Sequence, residues 1–219
     1  MSATPLHPVP ATGSRTQADI AYAHVRDLLL TLRIPPGEPL SEAALMAATG
    51  VGRTPLREAL NRLADERLVA KYARRGTFAT RVAIDDLGPL TDLRVELEGL
   101  AAAQAALRGT GADRQVLLSL MPAVEGPAIP AEQLRLDTEI HRAVYTAAHN
   151  PFLTEAAERY HNLSIRIWHL FIDRLDDLGH HVEEHRALIG HILAGEPDRA
   201  REVAHDHVRG FADAVRALR

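Results

Sequence analysis

Asp137 and His141 stand four residues apart in DTEIHRAVYTAAH, a segment whose apolar residues recur at helical spacing. Residues four apart share a helix face, so the carboxylate and the imidazole project together. That face is the apolar one, carrying Leu134, Val144, Tyr145 and Ala148. The same anomaly occurs twice more. His185 falls within a stripe of Val182, Leu188, Ile189 and Ile192, and His207 within Ala200, Val203, Ala204, Phe211, Val215 and Leu218. Burying one carboxylate and three imidazoles is costly unless they pair or hold a metal. Any one of these histidines, taken alone, reads as a hydrogen-bonded core residue. Together they read as a coordination set suited to a divalent transition metal, Zn2+ or Ni2+. One or two positions would remain for water or for an effector carboxylate. His181, one turn before His185 on the same face, is the rival for its role. His205 points roughly 160° away from His207 and falls outside the set.

Helices must carry these residues, because strand signals disappear from Asp85 onward. The periodicity predicts helices near 85–108, 113–121, 130–148, 151–176, 181–194 and 197–218, forming an all-helical antiparallel bundle. GPAIP at 126–130, Asn150-Pro151 and Gly195-Glu196-Pro197 punctuate them. Asn150 reads as a cap or turn residue rather than a ligand. The expected organisation is a disordered tail over 1–15, a small domain over 16–82 and the helical domain over 86–219, so the fold class is mostly α.

The small domain has its own pattern. Residues 17–33 read as a helix with Ile20, Ala23, His24, Asp27, Leu28 and Leu32 along one side. IPPGEPL breaks it. Ser41 can cap a short helix through Ala48, TGVG makes a tight turn, and a third helix follows over Arg53–Glu66. LVAKYA and TFATRV alternate like short strands around RRG, a hairpin with Gly76 near its tip. This is the layout of a winged helix-turn-helix. Leu56, Ala59, Leu60 and Leu63 give the third helix a packing face. Arg53, Thr54, Arg57 and Asn61 lie roughly opposite and suit base edges and phosphates in a major groove. Lys71, Arg74 and Arg75 would give the wing its backbone contacts, and Gly76 would let it turn closely against DNA. One helix with exposed arginines is merely a solvated surface; the ordered set of helix, turn, Arg-rich helix and basic hairpin is what argues for double-stranded DNA.

Charge agrees with this division. The 219-residue chain has a formal net charge of −4, yet residues 50–81 hold eight basic residues against three acidic ones. A basic segment in an acidic protein suggests a local polyanion contact. The absence of cysteine excludes disulfides, thiolate zinc sites and thiol catalysis. No run of about 18 apolar residues is present and the first residues lack a signal-peptide pattern, so a cytoplasmic protein without a membrane segment is expected.

LRIPPGEPLSEAALMAATGVGRTPLREALNRLADERLVAKYARRGTFAT resembles the N-terminal domain of GntR-family regulators in their FadR-like branch, above all in GRTPLREAL. The resemblance implies DNA contacts through Arg53, Thr54 and Arg57 and a close approach at Gly76. Two positions depart from it: Gly52 stands where the family usually has a Ser or Thr cap, and Ala43 where some members carry an arginine. LRVELEGLAAAQAA, DTEIHRAVYTAAHNPFL, EEHRALIGHILAGEPDRA and the late His207 are similar to the helical, metal-binding FCD-type effector domain. That similarity implies a metal held by Asp137, His141, His185 and His207, completed by a carboxylate-bearing metabolite, and argues against an acyl-CoA effector. It also makes Arg94 a candidate partner for the effector carboxylate, against the alternative of a salt bridge to Glu98. Arg166, Trp168 and Arg209 are further pocket candidates whose orientation periodicity does not give.

The expectation is a metabolite-responsive regulator, a repressor acting as a homodimer on a palindromic operator, and not an enzyme. The alternative is a metal-dependent hydrolase in which the Asp/His site activates water. No general base beside the ligands is evident for it.

Overall fold

The computed structural model describes residues 15–124, 130–171, 174 and 179–218. The chain divides into two compact units. Residues up to Leu29 with Arg33–Thr80 form one, and Leu30–Leu32 with the chain from Arg81 form the other. Of the expected N-terminal tail, Arg15 alone is described, and it is exposed.

The first unit comprises α1 (Gln17–Leu30), α2 (Glu42–Thr49), α3 (Arg53–Asp65) and the strands β1 (Val69–Tyr72) and β2 (Gly76–Ala79). Thr16 and Asp19 open α1 reciprocally: each side chain accepts from the other's backbone N–H at 3.1 Å. Ser41 caps α2 by accepting from the Ala44 N–H, and Gly50 ends it at φ 68°. Leu56, Ala59, Leu60 and Leu63 of α3 are buried as the periodicity requires. The buried face of α1 is not the expected one. Ala18, Ala21, Val25 and Leu29 are buried, while Ile20 is 43 % exposed. Small residues let α1 approach its neighbours closely, and that packing outweighs the greater hydropathy of the Ile20 side.

β1 and β2 pair antiparallel from Val69–Ala79 to Tyr72–Gly76. IPPGEPL does more than break a helix. Glu38 accepts from the Ala79 N–H at 2.9 Å, Gly37 and Leu40 donate to Ala79 and Thr77, and Pro39 bridges to Phe78. The segment therefore lines the outer edge of β2, where a proline is tolerated.

The second unit holds α4 (Leu87–Arg108, after a 3-10 turn at Ile84–Asp86), α5 (Gly111–Val124), α6 (Pro130–Ala147), α7 (Pro151–Phe171), α8 (Gly179–Ala194) and α9 (Pro197–Ala217). The expected extension of the fourth of these to 176 lies outside the described residues apart from Arg174. Asn150 caps α7, its Oδ1 accepting from the Leu153 N–H at 3.2 Å. α4 is the central element and packs against α6, α7, α8 and α9. Ala101, Ala102, Ala103, Ala105 and Ala106 are buried along it, so its neighbours approach closely. At Gly99 the approach is limiting: a Cβ there would lie 2.1 Å from Nε2 of His205. The ring of His205 thus sits against Gly99 on α4, away from the other histidines. No helix among the described residues is long and apolar enough to cross a membrane.

Candidate metal centre and nucleic-acid interface

Asp137 and His141 project from α6, His185 from α8 and His207 from α9, and all four are buried. Asp137 Oδ1 lies 3.1 Å from His185 Nε2, 3.3 Å from His207 Nε2 and 3.5 Å from His141 Nε2. The Nε2 atoms of His141 and His207 are 3.2 Å apart. Donors about 2.0–2.2 Å from one ion stand about 3 Å apart when octahedral neighbours and about 3.4 Å apart when tetrahedral. These side chains match that spacing. The side chain of His181 is outside the described residues.

The rings are held from behind. His141 Nδ1–H donates to Glu98 Oε2 and His207 Nδ1–H to Glu184 Oε2, both at 2.9 Å. Once a metal displaces the further proton of His141 and the remaining protons stay on Nδ1, the two Nε2 lone pairs would face each other across 3.2 Å. Such facing lone pairs fit a cation between them, and carboxylate-backed imidazoles are the usual arrangement for metal ligands. Among the described residues His185 Nε2 has no partner other than Asp137, whose Oδ1 lies 3.1 Å away. The donor set therefore fits a divalent ion.

Charge states follow from these neighbours. Burial opposes a charged Asp137, but the imidazoles, His141 foremost, hold its carboxyl well below the ordinary range. Burial also opposes a charged His141, yet Glu98 and Asp137 outweigh it and raise the ring to about 9. For His185, burial and the charge of His207 prevail and lower it to about 4.

Beside the centre runs a second polar network that periodicity did not bring out. Glu98 on α4 accepts from Arg94 Nη2 at 2.8 Å and from the Tyr145 hydroxyl at 2.5 Å. Arg94 also donates to Ser164 Oγ at 2.8 Å and to His161 Nδ1 at 3.2 Å. Arg94 thus makes the salt bridge to Glu98, and both are nearly fully buried. Glu98, His141 and His161 also lie close enough to suggest a cation site. The Arg94 guanidinium already occupies that position, so the group is an ion-pair network. His161 and its α7 neighbours Leu153, Ala157 and Ile165 are all buried at helical spacing. The stripe argument applied to α6, α8 and α9 finds it there too. Glu184 gave no such signal. Arg166 is buried, which lowers its guanidinium to about 10. Trp168 stacks on Phe211 at 4.0 Å, and Arg209 is exposed beside Asp206.

In the first unit, Arg53, Thr54, Arg57 and Asn61 are exposed on α3. Gly52 begins α3 with no side-chain cap. Arg57 lies 3.4 Å from Glu42, and Lys71 of the wing donates to Asn61 Oδ1. The wing therefore abuts the exposed face of α3. Arg74 at φ 64° and Gly76 at φ 96° turn the hairpin, and the Arg75 guanidinium lies 5.8 Å from the Tyr72 ring centre. The arrangement offers arginine, threonine, amide and lysine groups on one continuous surface.

Residues 17–79 match the family described as bacterial regulatory proteins, gntR family, and residues 89–210 match the FCD domain. An HTH-type transcriptional regulator in an unstable DNA locus of Streptomyces ambofaciens is 30% identical, over 95% of this chain and 89% of its own length. The HTH-type transcriptional repressor GlaR of Escherichia coli K12 is 26% identical, over 85% of this chain and 90% of its own. Among solved structures, E. coli McbR/YncC superposes with a TM-score of 0.78 at 21% identity, covering 94% of this chain and 100% of that one. A helix-turn-helix with a wing, joined to a helical bundle of this pattern, makes the chain a member of the GntR family of transcriptional regulators, of the type that carries an FCD domain.

Proposed function

We propose that the protein is a metabolite-responsive repressor whose helical unit binds one divalent metal through Asp137, His141, His185 and His207. The observation that carries this reading is the convergence of three Nε2 atoms and one carboxylate oxygen in a buried cluster on three helices. Zn2+ and Ni2+ both suit the donors. Bound metal would supply a Lewis-acidic point that attracts an effector carboxylate. The protein's own residues do the rest. Glu98 and Glu184 fix the imidazole tautomers, and Arg94 holds Glu98 in place through their ion pair.

Arg53, Thr54, Arg57 and Asn61 enter the major groove of a palindromic operator, with Arg75 and Gly76 at the wing. A homodimer supplies the two recognition helices. Leu93, Leu100 and Leu107, seven residues apart and exposed on α4, offer an apolar stripe for pairing. Effector binding changes the operator affinity of the dimer. The regulator relatives favour sensing over turnover of a substrate. Such a protein acts where its operator lies, in the cytoplasm.

Two measurements test the reading. Elemental analysis of protein purified without chelator should find near one metal per chain, and His207→Ala should lower it while leaving DNA retention largely intact. The purified protein should retain its own promoter region in a salt-sensitive, sequence-selective manner. Absence of that retention refutes the operator reading, and metal content far below stoichiometric after added Zn2+ or Ni2+ refutes the centre.

A further inference from the structure

His161 is 2 % exposed, and its ring lies 4.6 Å from that of His141. Its Nδ1 faces Arg94 Nη2 at 3.2 Å. A guanidinium only donates, so Nδ1 must accept, and the ring proton resides on Nε2. That Nε2–H makes no hydrogen bond among the described residues. It lies 4.0 Å from Asp137 Oδ2, on the side of the carboxylate away from the Oδ1 that meets the other histidines. A buried donor without an acceptor is destabilising, so its retention beside the centre calls for an explanation.

Ligation by His161 is not that explanation. Its Nε2, the nitrogen nearer Asp137, carries the proton that Arg94 keeps there, and a protonated nitrogen has no lone pair to give. We propose instead that His161 is a specificity-determining residue: its Nε2–H donates to a carboxylate oxygen of the effector drawn to the metal centre. The inference rests on the proposed metal centre and adds to it the residue that selects an anionic oxygen. Arg94 strengthens the donor, since a cation bonded to Nδ1 polarises the whole ring. A ligand presenting an N–H at this point would set donor against donor and be refused. Arg94 is then a positioning residue for the effector carboxylate, acting through the imidazole.

The test uses the full chain loaded with Co2+, whose visible spectrum reports entry of a further ligand, and acetate as the probe carboxylate. Co2+ affinity is measured first, by competition with a chromophoric chelator. His161→Phe removes the donor and keeps the ring volume, while His161→Gln keeps an N–H at similar reach. The expected result is Co2+ affinity within about threefold of the parent in both variants. Acetate binding should weaken about tenfold to hundredfold in the Phe variant and recover in large part in the Gln variant, as loss of a bond to a charged acceptor requires. Unchanged acetate affinity in the Phe variant overturns the proposal. Loss of Co2+ itself from both variants overturns it as well, by making His161 a ligand or a structural residue. Failure of the parent protein to take up Co2+ removes the metal centre beneath it, an outcome seen before acetate is added.

Discussion

Glu98→Gln is the sharpest single perturbation of the helical unit. Glu98 Oε1 serves Arg94 and Tyr145, and Oε2 serves His141. An amide has one accepting oxygen where the carboxylate has two. If the amide oxygen turns to His141, its NH2 group meets the Arg94 guanidinium, donor against donor, in a site 3 % exposed. Removing one member of a buried pair costs about 3–5 kcal/mol. At roughly 3 °C per kcal/mol for a unit of this size, the melting temperature should fall by roughly 10–15 °C. If the NH2 group turns to His141 instead, Nδ1 must accept, the ring proton moves to Nε2, and the lone pair facing His207 is lost. Metal affinity should then fall by about 10–100-fold or more. Differential scanning fluorimetry reads the first loss and competition with a metallochromic chelator the second. A variant that melts within about 3 °C of the parent and holds metal equally well would refute both the charge assignment and the tautomer argument.

The chelated protein should lose stability as pH falls from about 6.5 to 4. His185 is lowered to about 4 by burial and the charge of His207, against Asp137, so its contribution is present above the unfolded value and lost below it. The size is about 3 kcal/mol, and His185→Asn should flatten this limb of a melting-temperature profile. In the same protein His141, raised to about 9, stabilises below its unfolded value of about 6.5, and that stabilisation fades as pH rises towards 9. Gly52→Ser should raise the stability of the winged unit by about 0.5–1 kcal/mol in urea titration. The backbone is extended at φ −75°, a Cβ would meet only Pro55 at 3.9 Å, and α3 lacks a side-chain cap. A destabilised variant would contradict that geometry. Arg57→Ala should weaken operator binding by about tenfold to hundredfold in a mobility-shift assay at fixed salt. Because its partner Glu42 is a surface contact, melting should change by less than about 1 kcal/mol. Equal losses in binding and stability would assign Arg57 to the fold instead.

The sequence was most readable where one helix settles the matter alone. The two faces of α3 follow from local spacing, as do the buried positions of Asp137, His141, His185 and His207 on their stripes. The same rule applied to α7 finds His161 between Ala157 and Ile165. Arg94 and Glu98, four apart, read locally as a salt bridge. Ser164 and Tyr145 join them only because α6 and α7 pack on α4. Glu184 is less readable, since His207 reaches it from another helix. Burial on α1 went to alanines and Val25 rather than Ile20, because fit between helices decides such a contest more than hydropathy does. The pairing of 37–40 with β2 left no alternating pattern, since two prolines and a glycine interrupt it.

Gly99 gives the centre an adjusting point that donates no ligand. His205 rests against it, two residues before His207, and Glu98, which anchors His141, is its immediate neighbour. In the proposed metal centre, the offset between α4 and α9 would therefore bear on the bite between the imidazoles of His141 and His207. Ions differ in the bite they prefer, from about 3 Å for octahedral neighbours to about 3.4 Å for tetrahedral ones. A methyl group at position 99 would first displace the His205 ring, whose Nε2 and Cδ2 are the nearest atoms; a bulkier side chain that the ring cannot clear would press on α9 itself and alter the bite while every donor stays the same. In the proposed metal centre, preference among ions would thus be tunable from a helix crossing. A small library at positions 99 and 205 would explore that preference with the coordination chemistry held constant.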